Sequence, residues 1–373
     1  MYRKPPTYLI PYKRNPMSKE MIEAAVKYLE KGETLHNRLE EVFFFEREFA
    51  NYCGRKYAVG LNSGTTALYN ALVVCGVGKG DEVIVPPNSF AAVGHSVWTC
   101  GAVPVFVEVD EDTFNIDASK IEEKITDKTK AIMPVAHFGH PCDMDPIMDI
   151  AEEHDLYVVE NDAMALGAKY KGKRVPIGHM GVFCLSVKGL WLPGGGGFVV
   201  TDDEEMAEKI EARRYLGFSR SISIAGLSTS LGLNYKMTDI GATIGRVQLK
   251  NVDEYIERQR KNASIYTKLL EDTPVKTPIE KDYAYHVFLR YGIVAPRRDE
   301  LKNYLHEQGV ECHNIYQIAN YLQPMYVERF GYKKGDFPVT DKQKDLELSL
   351  PEPRSRSQWE LEYVTNKIKE FYA

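Results

Sequence analysis

Four stretches of this 373-residue chain bring together groups that can hold or attack a ligand. The first is Asn62-Ser63-Gly64-Thr65-Thr66-Ala67-Leu68, which follows a β-branched run and opens a helical pattern. Gly64 permits a tight turn, hydroxyls flank it, and the free amides of a helix N-terminus point at one spot, which makes a phosphate site. The same residues also suit an ordinary Ser/Thr helix cap. The second stretch is Lys188-Gly189-Leu190-Trp191-Leu192-Pro193, followed by four glycines, Gly194 to Gly197. Consecutive glycines let backbone approach a ligand closely. A lysine desolvated in such a loop has a lowered pKa and a free amine for Schiff-base chemistry; a flexible surface loop with a solvated lysine is the plainer account. The third, Val158-Val159-Glu160-Asn161-Asp162, sets acids at the C-terminal end of an apolar strand pattern, the edge where ligands of open α/β sheets gather. A capping acid for the following turn fits it equally. The fourth, Gly232-Leu233-Asn234-Tyr235-Lys236-Met237-Thr238-Asp239, leads into a long helical pattern. Thr238 or Asp239 reads as its cap, with Asn234 and Lys236 left as polar groups just outside.

The elements that must position these groups alternate in type. Short β-branched runs at 57–59, 82–85, 103–107, 131–135, 156–159 and 198–201 read as strands. Helical patterns fall between them at 65–74, 90–99 and 145–154, and after the last at 203–214. Strands that are apolar throughout are covered on both faces, and alternation with helices implies a mostly parallel sheet. A helical region from 237 to about 272 follows. Beyond it the pattern changes to a strand at 285–293, an amphipathic helix at 298–308 and a closing helix at 359–371, with polar loops at 219–232 and 332–340. The expected organisation is a large α/β domain over 1–245 and a smaller C-terminal α+β domain over 246–373.

Composition narrows the partners. The 47 basic residues are dispersed among 53 acidic ones, for a formal net charge of -6. Nucleic-acid backbones call for clustered Lys and Arg, so no nucleic-acid partner is expected. The basic residues 1–6 are followed by no apolar h-region, and the longest apolar runs, 83–87 and 103–107, fall far short of a bilayer of about 30 Å. A cytoplasmic protein without a membrane segment is expected. Cys53, Cys75, Cys100, Cys142, Cys184 and Cys312 form no C-x-x-C pair, which argues against a zinc site or disulfide framework and for small buried hydrophobes.

The order and spacing of the stretches carry more than any one of them. Phe45-Glu46-Arg47-Glu48-Phe49-Ala50, Ser63-Gly64-Thr65-Thr66-Ala67-Leu68, Gly80-Asp81-Glu82-Val83-Ile84-Val85-Pro86 and Gly101-Ala102-Val103-Pro104-Val105-Phe106-Val107 come first. Cys142-Asp143-Met144-Asp145, Ala165-Leu166-Gly167-Ala168, Asn234-Tyr235-Lys236-Met237-Thr238-Asp239 and Leu348-Ser349-Leu350-Pro351 follow. Over nearly its whole length the chain resembles the DegT/DnrJ/EryC1/StrS family of sugar aminotransferases. The resemblance implies a fold-type I pyridoxal 5'-phosphate enzyme, a homodimer with its active sites at the subunit interface. It implies transfer of an amino group from glutamate or glutamine to a nucleotide-linked keto-sugar, a step of carbohydrate biosynthesis. By position, Lys188 would be the Schiff-base lysine and the general acid and base. Ser63, Gly64 and Thr65 would hold the cofactor phosphate, Phe90 would lie against the pyridine ring, and Asn161 or Asp162 would tune the ring nitrogen. Asn234 would reach the phosphate of the neighbouring subunit's cofactor. His286 sits where the small domain meets the sugar site, and His313 and Tyr316 are candidates for substrate contact or for simple packing.

The chain departs from the family pattern at catalytic positions. The family strand reads Glu-Asp-Ala-Ala-Gln-Ala, whereas here it reads Glu160-Asn161-Asp162-Ala163-Met164-Ala165. Without a gap, the carboxylate that keeps the pyridine nitrogen protonated becomes Asn161, and Asp162 points to the other face, because strand side chains alternate. An amide cannot supply the negative charge that holds a pyridinium; a bulge would re-aim the pair. Phe183-Cys184 replaces Phe-Ser, Gly195 replaces an acid, His179 replaces an Asp, and Ala136-His137 replaces His-Leu. Lys188 lies one residue closer to Phe183 than usual, yet no other lysine falls between Lys173 and Lys209. Two further functions stay open. One is a sugar dehydratase of the same family, with a histidine in place of the lysine and His137 and His179 as candidates. The other is a catalytically altered paralogue that binds a nucleotide-sugar.

Overall fold

The computed structural model describes residues 7–14, 17–32, 39–185, 190, 192, 195–218 and 227–373. Helices α1 (Lys19–Glu30) and α2 (Glu40–Cys53) precede the sheet. Then come β1 (Tyr57–Leu61), α3 (Gly64–Val74), β2 (Glu82–Val85), α4 (Ala92–Thr99), β3 (Val103–Phe106), β4 (Thr129–Ile132), α5 (Met144–Glu153) and β5 (Tyr157–Asn161). A small hairpin, β6 (Lys169–Tyr170) and β7 (Lys173–Arg174), leads to β8 (Met180–Cys184), β9 (Gly197–Thr201) and α6 (Glu204–Arg214). The seven long strands form one sheet in the order β1-β9-β8-β5-β4-β2-β3. Only β9 runs against its neighbours, pairing antiparallel with both β1 and β8. The remaining pairs are parallel, as the alternation of strands with helices predicts.

Both faces of the sheet are buried, and period-two alternation sorts its residues between them. On β2, Val83 and Val85 pack with Leu68 and Leu72 of α3 and Val93 and Val97 of α4, while Ile84 joins Ile147 and Ala151 of α5 on the other side. On β5, Val159 belongs to the α3 side and Val158 to the α5 side. Phe45 and Phe49 of α2 close a further core, with Phe49 stacked on Phe198 at 4.2 Å between ring centroids. Each such side chain contributes roughly 1.5–3 kcal/mol by leaving water.

The C-terminal part contains α7 (Asp239–Lys250), α8 (Val252–Leu270), β10 (Ala284–Tyr285), β11 (Tyr291–Val294) and α9 (Arg298–Glu307). It continues with α10 (Pro324–Phe330), α11 (Pro338–Leu346), β12 (Glu347–Leu350) and α12 (Gln358–Tyr372). The helical region expected over 237–272 divides at Asn251, whose N–H turns back to the Gln248 carbonyl at 3.0 Å. The strand expected over 285–293 divides because Phe288 adopts φ 46°. Strand β8 had no sequence signal of its own. Gly181 interrupts its apolar run, and a Cβ there would stand 2.5 Å from the Pro176 ring. Ile10 pairs with Val310 and joins the core of α8, α9, β11, β12 and α12. Tyr326 and Phe337, in contrast, pack into the α3–α4 face of the large sheet.

Candidate active site

A cavity of about 330 Å³ opens where β1, β5 and β8 end and α3 begins. Its lining includes Ser63, Gly64, Thr65, Phe90, Asn161, Cys184, Arg290 and Tyr316. The volume lies within the range of small-ligand sites, roughly 300–1,000 Å³.

The phosphate-type turn follows from local chemistry. Ser63 caps α3 from an extended conformation, its Oγ accepting from the Thr66 N–H at 3.2 Å. Helix geometry leaves the Gly64 and Thr65 amides without an intrahelical acceptor, at the positive end of the helix dipole. Two strands crowd this turn. A Cβ on Gly64 would stand 2.8 Å from the Cys184 Cβ, and one on Gly197 would stand 2.5 Å from the Ser63 carbonyl oxygen. Glycine at 64 and 197 lets β8 and β9 approach the backbone that offers its amides. A phosphate at this point fits the donors.

Asn161 shares the α3 face of β5 with Val159 and lines the cavity. Its Oδ1 accepts the Ala163 N–H at 3.2 Å. Asp162 does not line the cavity. Its own N–H is tied to the Val182 carbonyl at 2.9 Å, the strand carries no slip there, and the carboxylate is buried on the opposite side. Of the two residues proposed for the ring nitrogen, the structure therefore brings Asn161 to the cavity and sends Asp162 away, for the alternation reason. Asp162 faces the same way as Glu160, whose Oε1 accepts from the Ile177 and Gly178 amides at 2.5 Å each. Burial pushes the Glu160 carboxyl up to about 7, against the pull of those two amides and Arg55. Burial raises Asp162 further, with Glu160 adding to it, and neither Asp162 oxygen has a hydrogen-bond partner among the described residues. Burial thus holds both carboxyls above the usual carboxylate range, with no hydrogen bond to offset it at Asp162.

The far wall comes from the C-terminal part. Tyr316, at φ 54°, lines the cavity with its hydroxyl 3.9 Å from the Met164 sulfur and its ring 6.2 Å from Phe90. Phe90 stands 61% exposed and lines the cavity. Arg290 was not anticipated. Its Nη1 donates to the Tyr12 hydroxyl at 3.2 Å, its buried Nε has no partner, and no carboxylate lies within ion-pair distance among the described residues. The available sequence signal was a lone charge inside the apolar run Val287-Phe288-Leu289-Arg290-Tyr291-Gly292-Ile293-Val294.

The other expected residues lie elsewhere. Lys188 lies outside the described residues. His286 is buried away from the cavity, its Nδ1 accepting the Phe288 N–H at 3.2 Å. His313 pairs with Glu311 at 3.2 Å and packs against Tyr12 at 4.7 Å between ring centroids, outside the lining of the cavity. Asn234 is exposed, bridged to Tyr215 and one residue before Tyr235, whose carbonyl accepts the Asn62 N–H. Its implied service to a neighbouring subunit is a matter for two chains. No histidine lines the cavity among the described residues. His137 is buried behind Tyr316, with its pKa pushed down to about 3 by burial and by Lys344 and Arg290. The His179 Nδ1 accepts the Val158 N–H towards the opposite end of β5.

A mostly parallel, doubly covered sheet with one reversed strand, and a helix-terminus anion site at its C-terminal edge, define a fold-type I α/β protein of the pyridoxal-phosphate class. The DegT/DnrJ/EryC1/StrS aminotransferase family matches residues 16–369, and the chain belongs to it. The pleiotropic regulatory protein of Geobacillus stearothermophilus is 40% identical over 334 residues, covering 88% of each chain. GDP-perosamine synthase of Caulobacter vibrioides is 38% identical over 288 residues, covering 75% of this chain and 77% of its own. The structure of S. venezuelae DesV in complex with a ketimine intermediate is similar at TM-score 0.89 and 32% identity, covering 95% of this chain and 94% of its own. The protein is thus a pyridoxal-phosphate-dependent sugar aminotransferase. Among the described residues no helix is long and apolar enough to cross a membrane.

Proposed function

We propose that the protein moves an amino group from glutamate or glutamine to a keto-sugar carried on a nucleotide. One observation carries this reading: a single cavity gathers the α3 amides, Asn161 and the guanidinium of Arg290, which no described carboxylate pairs. Bound pyridoxal phosphate supplies a carbonyl that takes up the amino group and a ring that draws electrons from the reacting carbon. The Gly64 and Thr65 amides hold its phosphate, Ser63 braces their helix, and Phe90 covers the ring. Lys188, on the chain between β8 and β9, is the proposed amine and the proposed acid and base. Arg290 takes the carboxylate of the amino donor, neutralising a half-buried charge that no described carboxylate pairs. The half-buried ring of Tyr316 and the buried ring of His137 close the wall behind it and exclude water.

The relative named GDP-perosamine synthase supports a nucleotide-linked sugar as the acceptor. A homodimer completes the proposal. Tyr215, Leu216, Leu231 and Leu233 expose apolar surface around Asn234, a surface suited to a second copy, through which Asn234 serves the neighbouring cavity. The protein acts in the cytoplasm in this reading. The test is the absorbance spectrum of the purified protein before and after glutamate, with borohydride reduction in parallel. A cofactor band that glutamate changes, and that borohydride fixes to a peptide containing Lys188, supports the proposal. A protein that binds no cofactor, or a fixed adduct in Lys188→Ala, defeats it.

A further inference from the structure

The side-chain amide of Asn161 is already oriented by its surroundings. A backbone N–H can only donate, so the atom facing the Ala163 N–H at 3.2 Å is the carbonyl oxygen. The Nδ2 hydrogens remain, and they have no acceptor among the described residues, although the residue lines the cavity. This group offers donors only.

The charges around the cavity agree with that orientation. Arg290 is the one formally charged side chain among the described lining residues, and no carboxylate lines it. On β5, Glu160 is engaged from the opposite side by the Ile177 and Gly178 amides, with Arg55 beyond them. Asp162 is buried on that side too, and burial raises its carboxyl well above the usual range. His137, behind Tyr316, is held neutral, and the remaining titratable lining groups are Cys184 and Tyr316. Slipping β5 by one residue to present Asp162 instead would break the Asn161 N–H bond to the Pro134 carbonyl and the Asp162 N–H bond to the Val182 carbonyl, at 2.8 and 2.9 Å.

We infer that Asn161 donates a hydrogen bond to the ring nitrogen of bound pyridoxal phosphate and that this nitrogen carries no proton. The inference rests on the pyridoxal-phosphate reading above. A protonated ring nitrogen is itself a donor and cannot pair with Nδ2, whereas the free lone pair can. A hydrogen bond to the neutral form and a nearby guanidinium both favour the neutral ring. The ring is then a weaker electron sink, and proton transfer at the reacting carbon depends more on the amine beside it.

The test is nitrogen NMR of holoenzyme loaded with pyridoxal phosphate labelled with 15N in the ring. In the wild type the resonance is expected at the neutral-pyridine position, unmoved through neutral pH. In Asn161→Asp, a near-isosteric change, a carboxylate within reach raises the proton affinity of the ring nitrogen by about 1–3 pKa units, and the resonance moves to the pyridinium position. A wild-type resonance already at the pyridinium position overturns the inference, as does a variant resonance identical to the wild type. A wild type that retains no labelled cofactor, seen by mass after borohydride, overturns the functional reading and this inference with it.

Discussion

Replacing Arg290 by leucine should move stability and substrate binding in opposite directions, and the geometry sets both magnitudes. Among the described residues the guanidinium makes one side-chain hydrogen bond, 3.2 Å to the Tyr12 hydroxyl, and its buried Nε has no acceptor. An unsatisfied buried donor costs about 1–3 kcal/mol. Leucine removes that burden but gives up part of the packing of the arginine stem, so the cofactor-free protein should gain about 1 kcal/mol. The donor carboxylate, by contrast, loses a charge-assisted hydrogen bond of about 1.5–3 kcal/mol. At about 1.4 kcal/mol per tenfold, half-saturation by glutamate should rise about ten- to hundredfold. Urea unfolding of the cofactor-free chain measures the first effect, and glutamate titration of the cofactor absorbance measures the second. Arg290→Lys keeps the charge but not the planar fork, and it should fall between the two. A leucine variant that loses stability while saturating normally would refute the reasoning and leave Arg290 as a brace for Tyr12.

Three further outcomes follow from the same geometry. Gly64→Ala should destabilise by about 1–3 kcal/mol through its clash with Cys184, outweighing a gain in helix propensity of about 1 kcal/mol, and weaken cofactor binding. Adding Cys184→Gly should restore only part of this, because the backbone of residue 184 would still stand 3.3 Å from the added methyl; thermal melts and cofactor titration report it. The raised Asp162 carboxyl makes the folded state bind a proton that the unfolded chain has released. Unfolding free energy should therefore fall as pH rises above the unfolded value of 3.8, by about 1.4 kcal/mol per pH unit per proton, and Asp162→Asn should flatten that slope in urea titrations. Leu231→Lys with Leu233→Lys should yield monomers in sedimentation, and Asn234→Ala should lower cofactor affinity without dissociating the dimer.

Much of the scaffold was legible because it is written in short range. The apolar runs at 82–85 and 103–107 each became a parallel strand, and Ser63-Gly64-Thr65 became a helix cap at the sheet edge, since cap, turn and strand chemistry act within a few residues. The alternation of β5 already placed Asn161 and Asp162 on opposite faces, a rule that needs no tertiary partner. Strand β8 escaped notice because its Gly181 is set by the close approach of Pro176, which periodicity cannot show. Phe288 likewise broke an apparent strand through a backbone conformation with no sequence signature.

The site divides in the same way. Its phosphate turn and the residue at the end of β5 are properties of local sequence, because each is made by neighbours along the chain. Arg290, Tyr316 and Cys184 reach the same cavity from β8 and from the C-terminal part, so only the folding of distant segments onto one sheet edge could bring them together. The exclusion of His286, His313 and His179 was equally tertiary. Each imidazole is engaged locally, two by a backbone amide and one by Glu311, and no pattern of residue types distinguishes such a histidine from one that faces a ligand.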